Sequence, residues 1–484
     1  MGEGQDTIFS PTFNQSIKIE SRADRLTGDA GALLIREVMS QLKIDSFLDD
    51  NLLDSRNQKF ITHPQVELIR TMVLLLAQGW QDRDNADQLR QDPIFRLAVS
   101  NRHGQSPLDS PDEPGDHPDG LGSQPTLSRL ITDLSSEPQR QVLREALFQC
   151  AARRLKATRG HRLRYVTLDV DSFPLEVYGQ QEGVEYNGYY RQNMFHPLIA
   201  NVAETGDLID LQLRPGAAHT AAGSLDFILP LLDRMEQDYC QVSSVRIDAG
   251  FPEDNLLSAL EDRDTAYVCR VKKNNVLETL AEPYLSRPPG RPPLEPRTWL
   301  HELRYQAKDW SAERRLVLVV QEVPEELFPR HFFLLTNWNK ETMPADDLLW
   351  FYRQRGTAEG YIGDIAGVLA PTMSSTRRPK SHYQGRRVHQ HYEPVDPFAN
   401  NEVYLLFNGL AYNLIHAARC LLQIATHQGC SFRCFIENVL KAPARVLLHS
   451  RRVIVVISGL YAGAWQKLCR KLATFSWQDV PDTG

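Results

Sequence analysis

Three places in this chain of 484 residues set carboxylates where they could share metal ions: Asp169 and Asp171 in RYVTLDVDSFPLEVYG, Asp248 in SSVRIDAGF, and Glu359 after Tyr352 and Arg355. Hard divalent cations such as Mg2+ take oxygen ligands and keep several waters, so two or three carboxylates suffice to hold them beside a substrate phosphate. Two ions roughly 4 Å apart can activate an attacking oxygen and stabilise a leaving one. In such a site Asp171 bridges both ions, Asp248 and Glu359 each complete one, and Asp169, on the same strand face, is the alternative to Asp171. Tyr352 and Arg355 would position the phosphate. Each residue also has a plainer reading. The aspartates could be turn or capping residues, and Arg355 and Glu359, four apart on a helix, could be a surface ion pair. The ensemble favours the joint role: an aspartate on a first strand, another after a fourth strand and a glutamate on a late helix, 77 and 111 residues apart (248 − 171 and 359 − 248).

The elements that must position these residues are legible in the periodicity. From Gly31 to about Leu97 apolar residues recur at three- and four-residue spacing, in GALLIREVMSQL, PQVELIRTMVLLLAQGW and NADQLRQDPIFRLA, which predicts a helical N-terminal domain. SQPTLSRLITDL, with Thr126 as N-cap and Arg129 in the first turn, is a further helix, for DNA recognition or for packing. In RYVTLDVDS, Val166, Leu168 and Val170 alternate with Thr167, Asp169 and Asp171, as in a strand with two unlike faces. FHPLIANVAE and LIDLQLRPG follow as strands, then a helix in AGSLDFILPLLDRM, a fourth strand ending at Asp248, and a fifth in DTAYVCRV. Three strands, a helix and a fourth strand is the order that opens an RNase-H-like sheet.

After a Pro-rich hinge, RPPGRPPLEP, the β-prone runs TWLHELRYQA, RRLVLVVQEV and HFFLLTN read as a separate insertion before the helix that carries Glu359. The chain then stays helical to Leu472. The expected fold is therefore mixed α/β and α+β: an RNase-H-like mixed sheet with flanking helices, a helical N-terminal domain and a β-rich insertion before the last catalytic helix. The expected boundaries are 1–160 for the helical, DNA-end-binding domain, 161–264 and 341–428 for the two parts of the catalytic core, 265–340 for the insertion and 429–484 for a helical C-terminal region.

Composition narrows the class. With 42% hydrophobic residues the chain can build real cores, so it is not a disordered protein. No run of eighteen uninterrupted apolar residues occurs, and the N-terminus lacks a basic and apolar leader, so no membrane partner and a cytoplasmic location are expected. Seven scattered cysteines predict reduced thiols and no disulfide framework. The net charge of −7 speaks weakly against general nucleic-acid binding, but charge is unevenly spread. Acidic residues crowd the loop from Asp109 to Asp119. Basic ones gather at Arg377, Arg378, Lys380, Arg386 and Arg387, and again from Arg445 to Lys471. Such clusters are either solvated faces or DNA contacts.

Tyr352-x2-Arg355-x3-Glu359 resembles the glutamate signature of insertion-sequence DDE transposases that carry a β-rich insertion before it. More narrowly, the chain resembles the bacterial insertion-sequence family numbered thirteen-eighty, through TGDAGALLIRE, GWQDRDNADQLRQDP, SQPTLSR, LDVDSFPLEVYGQQEGVEYNGYY, LRPGAAHTAAGSLDFI, RIDAGF, RGTAE and NGLAYNLIHAAR, in order from Thr27 to about Arg419. The resemblance implies cleavage of double-stranded DNA at terminal inverted repeats, attack of the released 3′-hydroxyls on target DNA, Mg2+ or Mn2+ as cofactor, and a homodimer on paired ends. It also implies that the N-terminal helices help bind the ends and that the inserted strands cover the site. One departure stands out: related sequences place a lysine seven positions after the glutamate, and this chain has Ala366. Gly360, Gly363 and Gly367 also fall where helix is expected, each at a cost of about 1 kcal/mol relative to alanine. The alternative these departures raise is a transposase-derived DNA-binding protein without strand transfer.

Overall fold

The alternation in RYVTLDVDS produces the strand at the centre of the molecule, Tyr165–Ser172 (β1), in a computed structural model that describes residues 7–20, 24–108, 120–158, 163–177, 179, 181–287, 294–324, 326, 328–376, 379–384, 387–392 and 395–474. Leu198–Val202 (β2), Leu208–Gln212 (β3), Gln241–Ile247 (β4) and Ala266–Val271 (β5) complete the run predicted from the sequence. β4 lies parallel between β1 and β5, while β2 is antiparallel to both β1 and β3.

The strands expected to form a separate insertion, Arg297–Tyr305 (β6), Arg314–Glu322 (β7) and Arg330–Thr336 (β8), instead continue this sheet, whose full order is β6-β7-β8-β5-β4-β1-β2-β3. β8 pairs antiparallel along β5, so the edge of the parallel core is covered. At the other edge a side chain pairs the first residue of β3: Asn413 accepts from Leu208 N at 3.1 Å and donates to Leu208 O at 2.7 Å.

The helices used below are Gly31–Gln41 (α1), Gln65–Ala77 (α2), Glu137–Thr158 (α3), Ser224–Asp238 (α4), Asp254–Asp262 (α5), Ala345–Arg353 (α6), Arg355–Gly363 (α7), Pro397–Thr426 (α8) and Gly459–Thr474 (α9). One sheet face buries Val166, Leu168, Val170 and Ile247 against Ile228 and Leu232 of α4 and Leu256 and Leu260 of α5. On the other face Val268, Val317, Val319 and Leu334 pack on Leu348, Leu349 and Tyr352 of α6. Each fully buried aliphatic side chain contributes about 1.5–3 kcal/mol. A third apolar cluster joins α1 and α2 to α8 and α9, across the whole length of the sequence. α8 is long and apolar enough to cross a membrane by length and composition alone, but most of it is buried here within the protein.

The C-terminal stretch expected to be helical contains a hairpin, Ala444–His449 with Arg452–Ile457, to which Arg25–Thr27 adds a third strand. The run VIVVI is β-branched throughout, and Ser450 and Arg451 both take positive φ (47° and 69°), which suits a tight hairpin turn. All seven cysteines are free thiols, as expected. The acidic loop from Asp109 to Asp119 and most of the Pro-rich hinge lie outside the described residues.

Candidate active site

β1 and β4 run side by side with Thr167 opposite Ser244 and Asp169 opposite Arg246. On the α6 face of the sheet these become two polar cross-strand pairs. The Thr167 and Ser244 hydroxyls are 3.1 Å apart, and Arg246 donates to both oxygens of Asp169, at 2.6 and 2.7 Å, with both side chains buried. The next position along the strands holds Asp171 at the end of β1 and Asp248 just past β4. All three pairs carry the same 77-residue offset, because two parallel strands in register keep one offset along their length.

Asp169 is thereby distinguished from Asp171. Its oxygens are taken up by Arg246, whose remaining Nη1 donates to Phe351 O at 2.9 Å and whose guanidinium lies 5.1 Å from the Phe351 ring centroid. The buried pair thus pins the C-terminal end of α6 to the sheet. Sequence reasoning missed Arg246, although its 77-residue offset from Asp169 matches that of the two candidate aspartates.

α6 stops at Arg353, Gln354 makes a turn, and α7 starts at Arg355. The single helical face expected for Tyr352, Arg355 and Glu359 is therefore divided between two helices. Tyr352 is buried in the α6 cluster, and burial pushes its phenol up. Arg355 and Glu359 lie one turn apart on α7. Arg355 Nη2 donates to Asp171 Oδ2, and Nη1 donates to Glu359 Oε1 at 3.2 Å, so one guanidinium links two of the candidate carboxylates.

Asp171 also accepts from Ser172 N at 2.8 Å. Burial pushes its carboxyl up to about 6; Arg355 opposes the shift, and the charges of Asp248 and Glu359 add to it. The three carboxylates therefore act on one another electrostatically. Burial disfavours the charge on Arg355, but Asp171, Tyr352, Asp248 and Glu359 outweigh that and hold the guanidinium above its usual range. Glu359 itself is open to solvent, with 65% of its side chain exposed.

Among the described residues, no three His, Cys, Asp or Glu side chains are grouped closely enough to hold a metal ion as they stand. Arg355 occupies the gap between Asp171 and Glu359. The donor set nevertheless fits a hard divalent cation: all donors are oxygen, and three carboxylates against one guanidinium leave excess negative charge.

α7 runs through Gly360 to Gly363 and continues directly into a wider π-helical turn, Asp364–Leu369, that ends at Ala370 with φ 42°. The three glycines thus lie in helix, Gly360 and Gly363 in α7 and Gly367 in the π-helical turn. Around them there is open space, so no close contact demands glycine.

A loop beside Asp248 is held by Arg214, which is buried with no carboxylate partner among the described residues, and burial alone pushes its guanidinium down to about 10. It donates to His196 O at 2.9 Å and to the carbonyls of His219, Thr220 and Ala222 at 3.2, 3.0 and 2.7 Å, shaping the loop 215–223. Thr220 of that loop presses on Gly250, where a Cβ would come within 2.6 Å of it, two residues after Asp248.

The other candidates are dispersed. Arg129 lies on the helix Gln124–Asp133 and lines a cavity of about 380 Å3 with Arg56, His63 and Arg90. Ser123, not Thr126, takes the N-cap position, and the two hydroxyls are 3.1 Å apart. Lys380 and Arg387 belong to the paired strands Pro379–Gln384 and Arg387–Tyr392, whereas Arg377, Arg378 and Arg386 fall outside the described residues. A larger cavity, about 510 Å3, opens between α3, β3 and α4 on the far side of the sheet. Its Arg144 is spent on Asp210 and Glu402, at 2.9 and 3.0 Å.

The chain belongs to the family described as transposase DDE domain group 1, which matches residues 9–475. It is a transposase, an enzyme of DNA transposition, and enzymes of this class generally use divalent metal ions. No curated protein matches it. Among solved structures, the piggyBac transposase synaptic complex with hairpin DNA is similar over 94% of this chain and 84% of that one, with 13% identity and a TM-score of 0.42.

Proposed function

We propose that this transposase cuts DNA at the terminal inverted repeats of a bacterial insertion sequence of the family numbered thirteen-eighty and joins the freed 3′-hydroxyls to target DNA. The observation that carries the reading is the juxtaposition at one end of the sheet: Asp171 and Asp248 close adjacent parallel strands, and Glu359 reaches Asp171 through the shared guanidinium of Arg355. The strand order β3-β2-β1-β4-β5, with β2 alone antiparallel to its neighbours β1 and β3, supports an RNase-H-like core.

Asp171, Asp248 and Glu359 would hold Mg2+ or Mn2+, which when bound supplies activation of the attacking oxygen and stabilisation of the leaving one. Before DNA arrives, Arg355 balances part of their charge. When a phosphate enters, the guanidinium can turn from the carboxylates to that phosphate, since both offer paired oxygens to its planar fork. Tyr352 supports this step from beneath, as packing for the helix junction. Arg129, Lys380, Arg387 and the basic residues beside the last two would contact the DNA flanks, with the N-terminal helices on the element ends, a homodimer pairing two ends, and the protein acting in the cytoplasm.

The test is purified protein with Mg2+ and a labelled duplex carrying the inverted repeat that flanks the gene. Wild type should cut and join. Asp171→Asn, Asp248→Asn and Glu359→Gln should each lower cutting at least about a thousandfold, since several kcal/mol of charge stabilisation is lost, while end binding persists. An active Asp171→Asn protein would overturn the assignment. Binding without cutting by the wild type would favour the DNA-binding alternative raised by Ala366.

A further inference from the structure

Between β1 and β2 the chain detours through a hairpin, Glu185–Asn187 paired with Gln192–Phe195, whose tip is Gly188, Tyr189, Tyr190 and Arg191. The tip is ordered by its own hydrogen bonds. Asn187 Oδ1 accepts from Tyr189 N at 3.0 Å and from Tyr190 N at 3.3 Å, its carbonyl accepts from Arg191 N at 2.7 Å, and Arg191 takes φ 57°. The hairpin is also tied to the loop beside Asp248. Asn187 Nδ2 donates to Gly216 O at 2.8 Å, and a Cβ on Gly216 would lie 2.0 Å from Met194 O, an approach that only glycine permits. Through Gly216, Thr220 and Gly250 the tip is set relative to the carboxylates.

Three aromatic rings line this hairpin in edge-to-face contacts. Tyr190 packs against His196 with ring centroids 5.7 Å apart, and Tyr189 packs against Tyr190 at 5.0 Å. Tyr190 is half-buried and lies within electrostatic reach of Asp171 and Asp248. Tyr189 is 87% exposed, next to the exposed cation Arg191. A large ring held on a rigid tip beside a phosphate-handling site gains most from a flat partner of the same substrate.

We propose that Tyr189, backed by Tyr190, stacks an unpaired base of the DNA strand being cut, next to the scissile phosphate, and so holds the duplex end open. This rests on Asp171, Asp248 and Glu359 being the catalytic site. Asp171 is recessed, so the phosphate bound there must leave the regular path of the duplex, which costs a few kcal/mol in unstacking. Stacking on an aromatic side chain returns about 1–3 kcal/mol per base, without preference for sequence. Arg191 supplies a counter-charge for the neighbouring phosphate.

The experiment compares cutting of two inverted-repeat duplexes, one fully paired and one mismatched at the base next to the cut. Tyr189→Ala should slow cutting of the paired end roughly five- to hundredfold, and the mismatch should restore most of that loss because the base is already open. Tyr189→Phe should recover most of the cutting that Tyr189→Ala loses on the paired end, since the ring and not the hydroxyl stacks. Wild-type rates for a Tyr189→Ala/Tyr190→Ala protein on the paired end would overturn the proposal, as would a Tyr189→Ala loss of equal size on both duplexes. Asp171→Asn on the same duplexes separates the two ideas: if it cuts normally, the site assignment has failed whatever the tyrosines do.

Discussion

Two arginine–carboxylate centres in this protein use the same chemistry to opposite ends. Just before β3, Asp207 is fully buried, and its partners saturate it: Arg154 Nε at 2.5 Å and the Arg154 Nη2 group, Tyr239 hydroxyl at 2.9 Å and Thr205 hydroxyl at 2.7 Å. Arg154 overcomes the burial penalty and holds Asp207 below the usual carboxylate range. His416, at 4.0 Å, stays neutral, pushed down to about 3 by burial and by Arg154. At the Asp171 centre one guanidinium serves carboxylates that outnumber it, and one of them, Glu359, faces solvent. A saturated centre can only stabilise the fold, whereas an under-neutralised, half-open one has capacity left for a cation and a phosphate. The counts of charges and the access to water, not the residue types, make the difference.

That contrast should appear as a separation of activity from stability. Asp171→Asn should remove cutting and leave the unfolding free energy within about 1 kcal/mol of wild type, because burial already disfavours the Asp171 charge and Arg355 keeps Glu359 as a partner. Asp207→Asn should do the reverse where folding survives: it takes the carboxylate charge away from the buried Arg154, at a cost of about 3–5 kcal/mol in urea or guanidinium unfolding. If Asp207→Asn proves neutral to stability, the contrast collapses. The Asp169–Arg246 pair sharpens it from within the site. Arg246→Met should cost stability on the scale of Asp207→Asn and also slow cutting, since α6 loses its tie to the sheet through Phe351 O. A loss of cutting without a loss of stability would instead give Asp169 or Arg246 a direct part in the chemistry.

The smallest effect concerns pH. His416 is neutral in the fold down to about pH 3 but takes up a proton near 6.5 when unfolded. The unfolded state therefore binds more protons between those values, and the stability that His416 contributes is fully present above about 6.5 and falls as pH drops toward 3. The folding equilibrium should lose up to about tenfold per pH unit from this residue. His416→Gln should flatten the pH dependence of unfolding by that amount, and an unchanged slope would place the titration elsewhere.

Much of this was legible along the chain, for reasons tied to particular residues. The two-residue alternation of Val166, Leu168 and Val170 against Thr167, Asp169 and Asp171 has no other regular solution than a strand with unlike faces, and β2 to β5 fall on the short strand-like runs FHPLIANVAE, LIDLQLRPG, SSVRIDAGF and DTAYVCRV. The placement of β6, β7 and β8 was not legible, since an apolar run does not say which sheet it joins. The hairpin at Ala444–Ile457 was missed because its apolar residues also suit a helix, and only the turn at Ser450 and Arg451 separates the two.

The sequence by itself determined which residues could do chemistry and on which strand face each aspartate lies, because the side-chain period of a strand is a local property. It also determined the DDE transposase family, whose match runs over residues 9–475. Only the tertiary structure decided that Asp169 is taken by Arg246 while Asp171 meets Arg355, since that choice depends on strand register and on where α7 docks. It alone, too, brought the tyrosine hairpin to the carboxylates, through contacts between backbones that no spacing in the sequence records.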